Sequence, residues 1–186
     1  MVPNYDDCAL LIIDMQEKLL NTLPEDIREQ MLHNAEILID LVSEMGGSIF
    51  YTEQYPKGLG PTHPRLKEKL TNAIRVEKVA FSCLGESDFC EKVVPHIPDS
   101  LIIIGMEAHI CVLMTVIDLI AEDEDESLDI FVPQDCIASR SKANWKNAVS
   151  QLFNFGIFVT NTETLVYQAL EEAGNDMFRK YSKRLK

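Results

Sequence analysis

The sequence is short of positive charge. Seventeen Lys and Arg stand against 30 Asp and Glu over 186 residues, a net charge of −13. No basic stripe interrupts that field before the last dozen residues, so the chain repels phosphate backbones and nucleic acid is not an expected partner. Long apolar runs are missing too. Ala9–Ile13 is far shorter than the roughly 18 residues a membrane span demands, and the opening MVPNYDDC has no basic n-region ahead of an apolar stretch. No membrane partner is expected. The five cysteines (Cys8, Cys83, Cys90, Cys111, Cys136) are odd in number and form no CxxC pair, which excludes a disulfide framework or zinc knuckle. They read as reduced thiols of a cytoplasmic protein, or of one inside an organelle. The acidic run Glu122–Glu126 lacks the spaced oxygen ligands of a calcium loop and reads as a solvated turn.

What is present is a regular alternation of strand and helix patterns. Ala9–Ile13 is wholly apolar, as a central parallel strand is, and Asp14 closes it. Leu20–Met45 carries apolar residues at helical spacing, with Pro24 suited to a first turn and Gly46-Gly47 to the end. Ser48–Thr52 follows as strand two. Residues 53–64, with three prolines and two glycines, form a loop. Arg65–Ala73 reads as a short helix, Glu77–Ser82 as strand three, and Ser87–Val94 as a helix capped by Ser87. Leu101–Met106 is strand four and Ile110–Ala121 its helix. Ser127–Pro133 is strand five, before a helix from Ser139 or Ser141 towards Phe155, stopped by Gly156. Ile157–Thr160 is strand six, then a helix from Glu163 to Ala173 and a basic tail read as exposed helix or frayed terminus. The expectation is one domain, residues 1–186, of the three-layer α/β/α class, with helices on both faces of a six-stranded parallel sheet.

In such sheets ligands bind beyond the carboxyl ends of the strands. Asp14, the loop after Thr52, Cys111 and Cys136 all fall on that edge. If Cys111 lies in the first turn of its helix, the free N–H groups and the helix dipole favour its thiolate; packing alone is the competing reading of any buried cysteine. Lys78 reads as a solvated edge charge unless it has partners. His63 and Glu53 lack a patterned third ligand for a metal. His109, two residues before Cys111, points elsewhere on a helix, and Cys136 reads as part of a helix-capping segment.

Three separated pieces resemble the isochorismatase-like cysteine hydrolase superfamily, which includes nicotinamidases and carbamoylsarcosine amidohydrolases. They are Asp14-Met15-Gln16, Lys78 followed by Phe81-Ser82, and the junction from Gly105 to Cys111. The order holds over roughly residues 8–170, and GMEAHICV, QYPKGLGPT and DCIASRS are similar to the isochorismatase-domain-containing subgroup. The resemblance implies a Rossmann-like fold, a hydrolase of C–N bonds and the catalytic set Asp14, Lys78 and Cys111. It also implies an oxyanion hole from the backbone N–H groups of Glu107 and Cys111, and a cis peptide at Met106–Glu107. Gln16, Tyr55 and Phe81 would line the substrate pocket, and a homo-oligomer is implied. Two departures matter. True isochorismatases lack the cysteine, so hydrolysis of isochorismate is not implied. Where nicotinamidases carry metal ligands this chain has Thr52-Glu53-Gln54-Tyr55, so no metal or cofactor is expected. The chemistry implied is attack of Cys111 on a small amide or related acyl compound to give a thioester, which water then cleaves. The competing reading is a non-catalytic binding or scaffold protein on the same fold.

Overall fold

The computed structural model describes residues 2–185. Its centre is a parallel sheet whose inner strands are apolar on both faces, as strands covered on both sides must be. The strands are β1 (Cys8–Ile13), β2 (Ser48–Gln54), β3 (Ile74–Lys78), β4 (Ser100–Met106), β5 (Asp129–Pro133), β6 (Ile137–Ala138) and β7 (Phe158–Thr160). The order is β3-β2-β1-β4-β5-β7, with β6 paired to the carboxyl end of β4. β1 and β4 are buried throughout and pair from Cys8↔Ser100 to Ile13↔Gly105. Alternate residues face opposite layers. Leu10, Ile12, Ile102 and Ile104 meet α2 (Glu25–Glu44) and α8 (Thr162–Leu170), whereas Leu11, Ile13, Leu101 and Ile103 meet α5 (Ser87–Lys92), α6 (Leu113–Glu122) and α7 (Lys142–Asn154); α1 (Glu17–Leu20), α3 (Pro56–Leu59) and α4 (Pro64–Lys67) are single turns in the connections. The three-layer α/β/α sandwich is as the sequence indicates.

Several boundaries differ from the sequence reading. The sheet has a seventh strand, the two-residue β6, where the DCIAS segment returns to pair with β4. β3 ends at Lys78 rather than running to Ser82, because the lysine ammonium bonds to the carbonyls of Ala80 and Phe81; an extended strand would carry both carbonyls away from it. The helix expected over Arg65–Ala73 stops at Lys67, and turns occupy the Thr71-Asn72 stretch, whose side chains favour non-helical backbone. Ser87 begins α5 without capping it, and Glu86 is the N-cap residue. α8 ends at Leu170, where Glu171 has a positive φ of 55°. The basic tail is neither exposed throughout nor frayed. It forms a helix, α9 (Asp176–Arg184), that buries Tyr181 against the α2 layer and pairs Arg184 with Asp40 at 2.9 Å and Lys180 with Glu44. Among the described residues no helix is long and apolar enough to cross a membrane.

Candidate functional site

Asp14 follows β1, Lys78 ends β3 and Cys111 lies just beyond β4, so strand ends within the run β3-β2-β1-β4 bring three distant residues together. Asp14 and Lys78 have fully buried side chains, and Lys78 Nζ lies 2.7 Å from Asp14 Oδ2. Cys111 is 7% exposed, the part of the group nearest the surface. The backbone bends sharply to present the carboxylate. Asp14 has φ of 52°, in the left-handed region, and its carbonyl accepts from the Gln16 N–H at 2.8 Å. Such backbone is costly for a non-glycine residue and collects where a side chain must be aimed. The Met106–Glu107 peptide is cis.

The two carboxylate oxygens of Asp14 differ. Oδ1 accepts from Thr52 Oγ1 at 2.8 Å. Oδ2 is buried and receives no aligned hydrogen bond. The lysine beside it directs its bonds elsewhere: Nζ donates to Gln54 Oε1 at 2.5 Å, Phe81 O at 3.1 Å and Ala80 O at 3.2 Å. Nζ also lies 2.7 Å from Oδ2, a close contact of opposite charges.

Electrostatics place the proton on sulfur at neutral pH. Burial first and the Asp14 charge second push the Cys111 thiol up to about 12, against the opposing pull of Lys78. This corrects the expectation of a helix-favoured thiolate. Cys111 sits in a π-helical turn, Ala108–Val112, ahead of α6, and not in the first turn of a regular helix. Burial opposes the ammonium of Lys78, but Asp14, Cys111 and Cys83 outweigh it and raise the group, so the lysine stays charged. Cys83 is buried beside them, pushed by burial to about 12.

The other sequence candidates separate. Gln16 is buried and its amide is occupied: Nε2 donates to the carbonyls of Gly60 and Gln54 at 2.6 and 2.9 Å, and Oε1 accepts from the Gln54 N–H at 2.7 Å. It braces the loop after β2. Tyr55 and Phe81 are exposed, 54% and 56%, on the two loops flanking the group. Glu53 faces inward, where Thr62 donates both its N–H and its hydroxyl, at 2.7 and 2.8 Å, and Arg75 Nε reaches it at 2.8 Å. A carboxylate so saturated has no lone pair to offer His63, and among the described residues no three His, Cys, Asp or Glu are placed to hold a metal. Glu107 is paired with Arg140, Nε to Oε1 at 2.5 Å. His109 Nδ1 lies 2.9 Å from Ser139 Oγ, directed away from Cys111. Cys136 is fully buried and its thiol donates to Met31 O at 3.6 Å.

Four contributing residues escape the sequence reading: Thr52, Gln54, Glu86 and Thr115. Thr52 and Gln54 carried a signal. They lie two apart on β2, between the strands bearing Asp14 and Lys78, so both side chains leave one face of the sheet. A cleft of about 510 Å³, lined by Ile27, Met31, Ile137 and Trp145, opens on the same sheet edge but does not include Asp14, Lys78 or Cys111.

A parallel α/β sandwich with these residues at its carboxyl edge defines a class, and the match to the isochorismatase domain over residues 8–164 assigns it: the chain belongs to the isochorismatase family. Among curated relatives, isochorismatase domain-containing protein 2 of Danio rerio is 31% identical over 177 residues, which is 95% of this chain and 86% of that protein. The structure of the MAR1 ribonuclease from Caenorhabditis elegans is similar throughout, with a TM-score of 0.85, 29% identity and coverage of 100% of this chain and 92% of that one. The ycaC gene product of Escherichia coli, an octameric hydrolase of unknown specificity, shares the fold at 21% identity with a TM-score of 0.82, over 100% of this chain and 88% of that one.

Proposed function

We propose that the chain is a metal-independent cysteine hydrolase that cleaves a small amide or related acyl compound. The observation that carries this reading is Asp14 Oδ2, a buried carboxylate oxygen that receives no aligned hydrogen bond, lies 2.7 Å from the Lys78 ammonium and belongs to the group that holds a protonated thiol. Such an oxygen is the acceptor a thiol needs to become a nucleophile. Cys111 Sγ passes its proton to Oδ2 as it attacks the carbonyl carbon. The N–H groups of Glu107 and Cys111 stabilise the oxyanion. Asp14 returns the proton to the departing amine and leaves a thioester. Water then gives a proton to Asp14 and attacks, the acid departs and the thiol is restored. Lys78 keeps Asp14 ionised and favours negative charge on sulfur. The reading includes assembly into a homo-oligomer that completes the walls around Tyr55 and Phe81.

Its test is intact mass spectrometry after exposure to a library of small amides. A transient acyl adduct is expected on Cys111 and absent from Cys111→Ser, and release of acid should fall at least about 1000-fold in that variant. Hydrolysis that survives Cys111→Ser overturns the reading. A second reading, RNA cleavage, draws on the full-length similarity to the nematode ribonuclease, while the net charge of −13 opposes it. Metal-independent cleavage of RNA, lost in Cys111→Ala, would replace the first.

A further inference from the structure

The loop after β3 does two things at once. Its carbonyls at Ala80 and Phe81 take two of the three hydrogen bonds of the Lys78 ammonium, while its side chains at Val79 and Phe81 are exposed. A loop with its apolar side chains in solvent is held by little packing of its own. Three side chains from outside supply the order: Gln54, whose Nε2 donates to Val79 O at 2.8 Å, and one at each end of the loop. At the near end, Glu86 Oε1 accepts from the N–H groups of Val79 and Ala80 at 2.6 and 2.7 Å. At the far end, the N–H of Cys83 donates to Thr115 Oγ1 at 3.0 Å, and the same hydroxyl donates to the carbonyl of Cys111 at 2.7 Å. Thr115 is fully buried on α6.

From this we infer that Glu86 and Thr115 are positioning residues for the site, acting together to hold the loop from Val79 to Cys83 as a cradle that fixes the Lys78 ammonium relative to Cys111. The proposal rests on the hydrolase reading for its purpose and on geometry alone for its mechanics. Thr115 ties the cradle to the backbone of the cysteine itself, so lysine and sulfur are located against each other through one hydroxyl. Glu86 answers to a different need. Its carboxylate takes the N–H groups of Val79 and Ala80, in the two peptides just ahead of those whose carbonyls face the ammonium, and so fixes the turn from which these carbonyls project. Neither residue touches the thiol, and each acts through the position of Lys78.

The test reads Cys111 alkylation by iodoacetamide against pH, which needs no substrate. Displacing Lys78 removes the group that pulls the thiol down, so Glu86→Ala and Thr115→Val should each slow alkylation at fixed pH about tenfold, a shift of about one pH unit. Glu86→Gln keeps an oxygen able to accept both N–H bonds and Thr115→Ser keeps the hydroxyl, so both should stay within about twofold of the parent. In a Lys78→Met background Glu86→Ala should add nothing, because its effect runs through the lysine. Rates in Glu86→Ala and Thr115→Val equal to the parent, or an equal loss with and without Lys78, overturn the proposal; should Glu86→Ala fail to fold, Thr115→Val against Thr115→Ser decides alone. The two readings fail separately. Hydrolysis insensitive to Cys111→Ser removes the hydrolase reading while the alkylation series still judges the cradle.

Discussion

Gly105 on β4 lies directly opposite Ile13 on β1, so close that a Cβ on the glycine would stand 2.0 Å from the Ile13 carbonyl oxygen. The glycine also has φ of 131°, open only to a residue without a side chain. This contact sets how near the strand leading to Cys111 runs to the strand that ends in Asp14. Gly105→Ala should therefore cost about 3–5 kcal/mol through strain and overpacking together. Urea denaturation would measure it, and a loss below about 1 kcal/mol would mean the strands can part without penalty.

Because the Cys111 thiol is held up at about 12 by burial and Asp14, its alkylation rate should keep climbing with pH beyond 10, with no plateau near the ordinary thiol range. Lys78→Ala should slow alkylation tenfold or more. Asp14→Asn removes a charge that opposes the thiolate, so alkylation should not slow although turnover is lost. Two readouts that move apart in one variant would distinguish proton acceptance from a general loss of structure.

The raised thiols also link stability to pH. An unfolded cysteine titrates near 8.5, whereas Cys8 is pushed to about 11 and Cys83 to about 12, in both cases chiefly by burial. Between those values the unfolded chain binds fewer protons than the folded one. Stability is thus full below about pH 8.5 and falls as pH rises towards 11–12. Urea midpoints from pH 8 to 11 should decline, and Cys83→Ala should flatten the decline.

Glu53 is buried with its charge intact. Burial pushes the carboxyl up, but Thr62 and Arg75 outweigh it and hold the group below its ordinary value. Arg75→Met should cost about 2–3 kcal/mol at neutral pH, less than a wholly buried pair would lose because the arginine is 40% exposed. The stability this group contributes is present above the unfolded carboxyl value, near 4.3, and is lost as pH falls through the folded one. Thermal denaturation of Arg75→Met at pH 7 and pH 4 should show the difference shrinking in acid.

Tyr181 is wholly buried where α9 meets α2, with Lys180 Nζ 5.4 Å and Arg184 Cζ 5.6 Å from its ring centre. Tyr181→Ala should cost about 3–5 kcal/mol, in the range of other buried aromatics. Charge reversal at the exposed Lys180 should cost far less. Hydrogen exchange along the second half of α2 would report the detachment of α9.

The apolar strands, the long α2 and the place of Asp14 and Cys111 at strand ends are legible in the sequence, because burial on two faces and helical periodicity are local patterns. The end of β3 is not. Val79 to Ser82 reads as strand until one knows that Lys78 turns the following carbonyls back on itself. The same holds for the docking of α9, whose basic residues look solvated until acidic α2 is beside them. Glu86, just ahead of α5, and Thr115, within α6, are ordinary residues in one dimension, and their importance exists only once the loop after β3 meets α6.

The Lys78 ammonium has three hydrogens, and three neutral oxygens already receive them. A proton arriving on Asp14 Oδ2 would weaken its 2.7 Å charge contact with the ammonium while leaving those three bonds in place. The change is one of potential alone. Solvent water around an exposed ion pair would have to reorient at each transfer, whereas this frame is already set for both charge states. On the proposed hydrolase reading Asp14 accepts and returns one proton in each half of the cycle, so acylation and deacylation would use one set of coordinates.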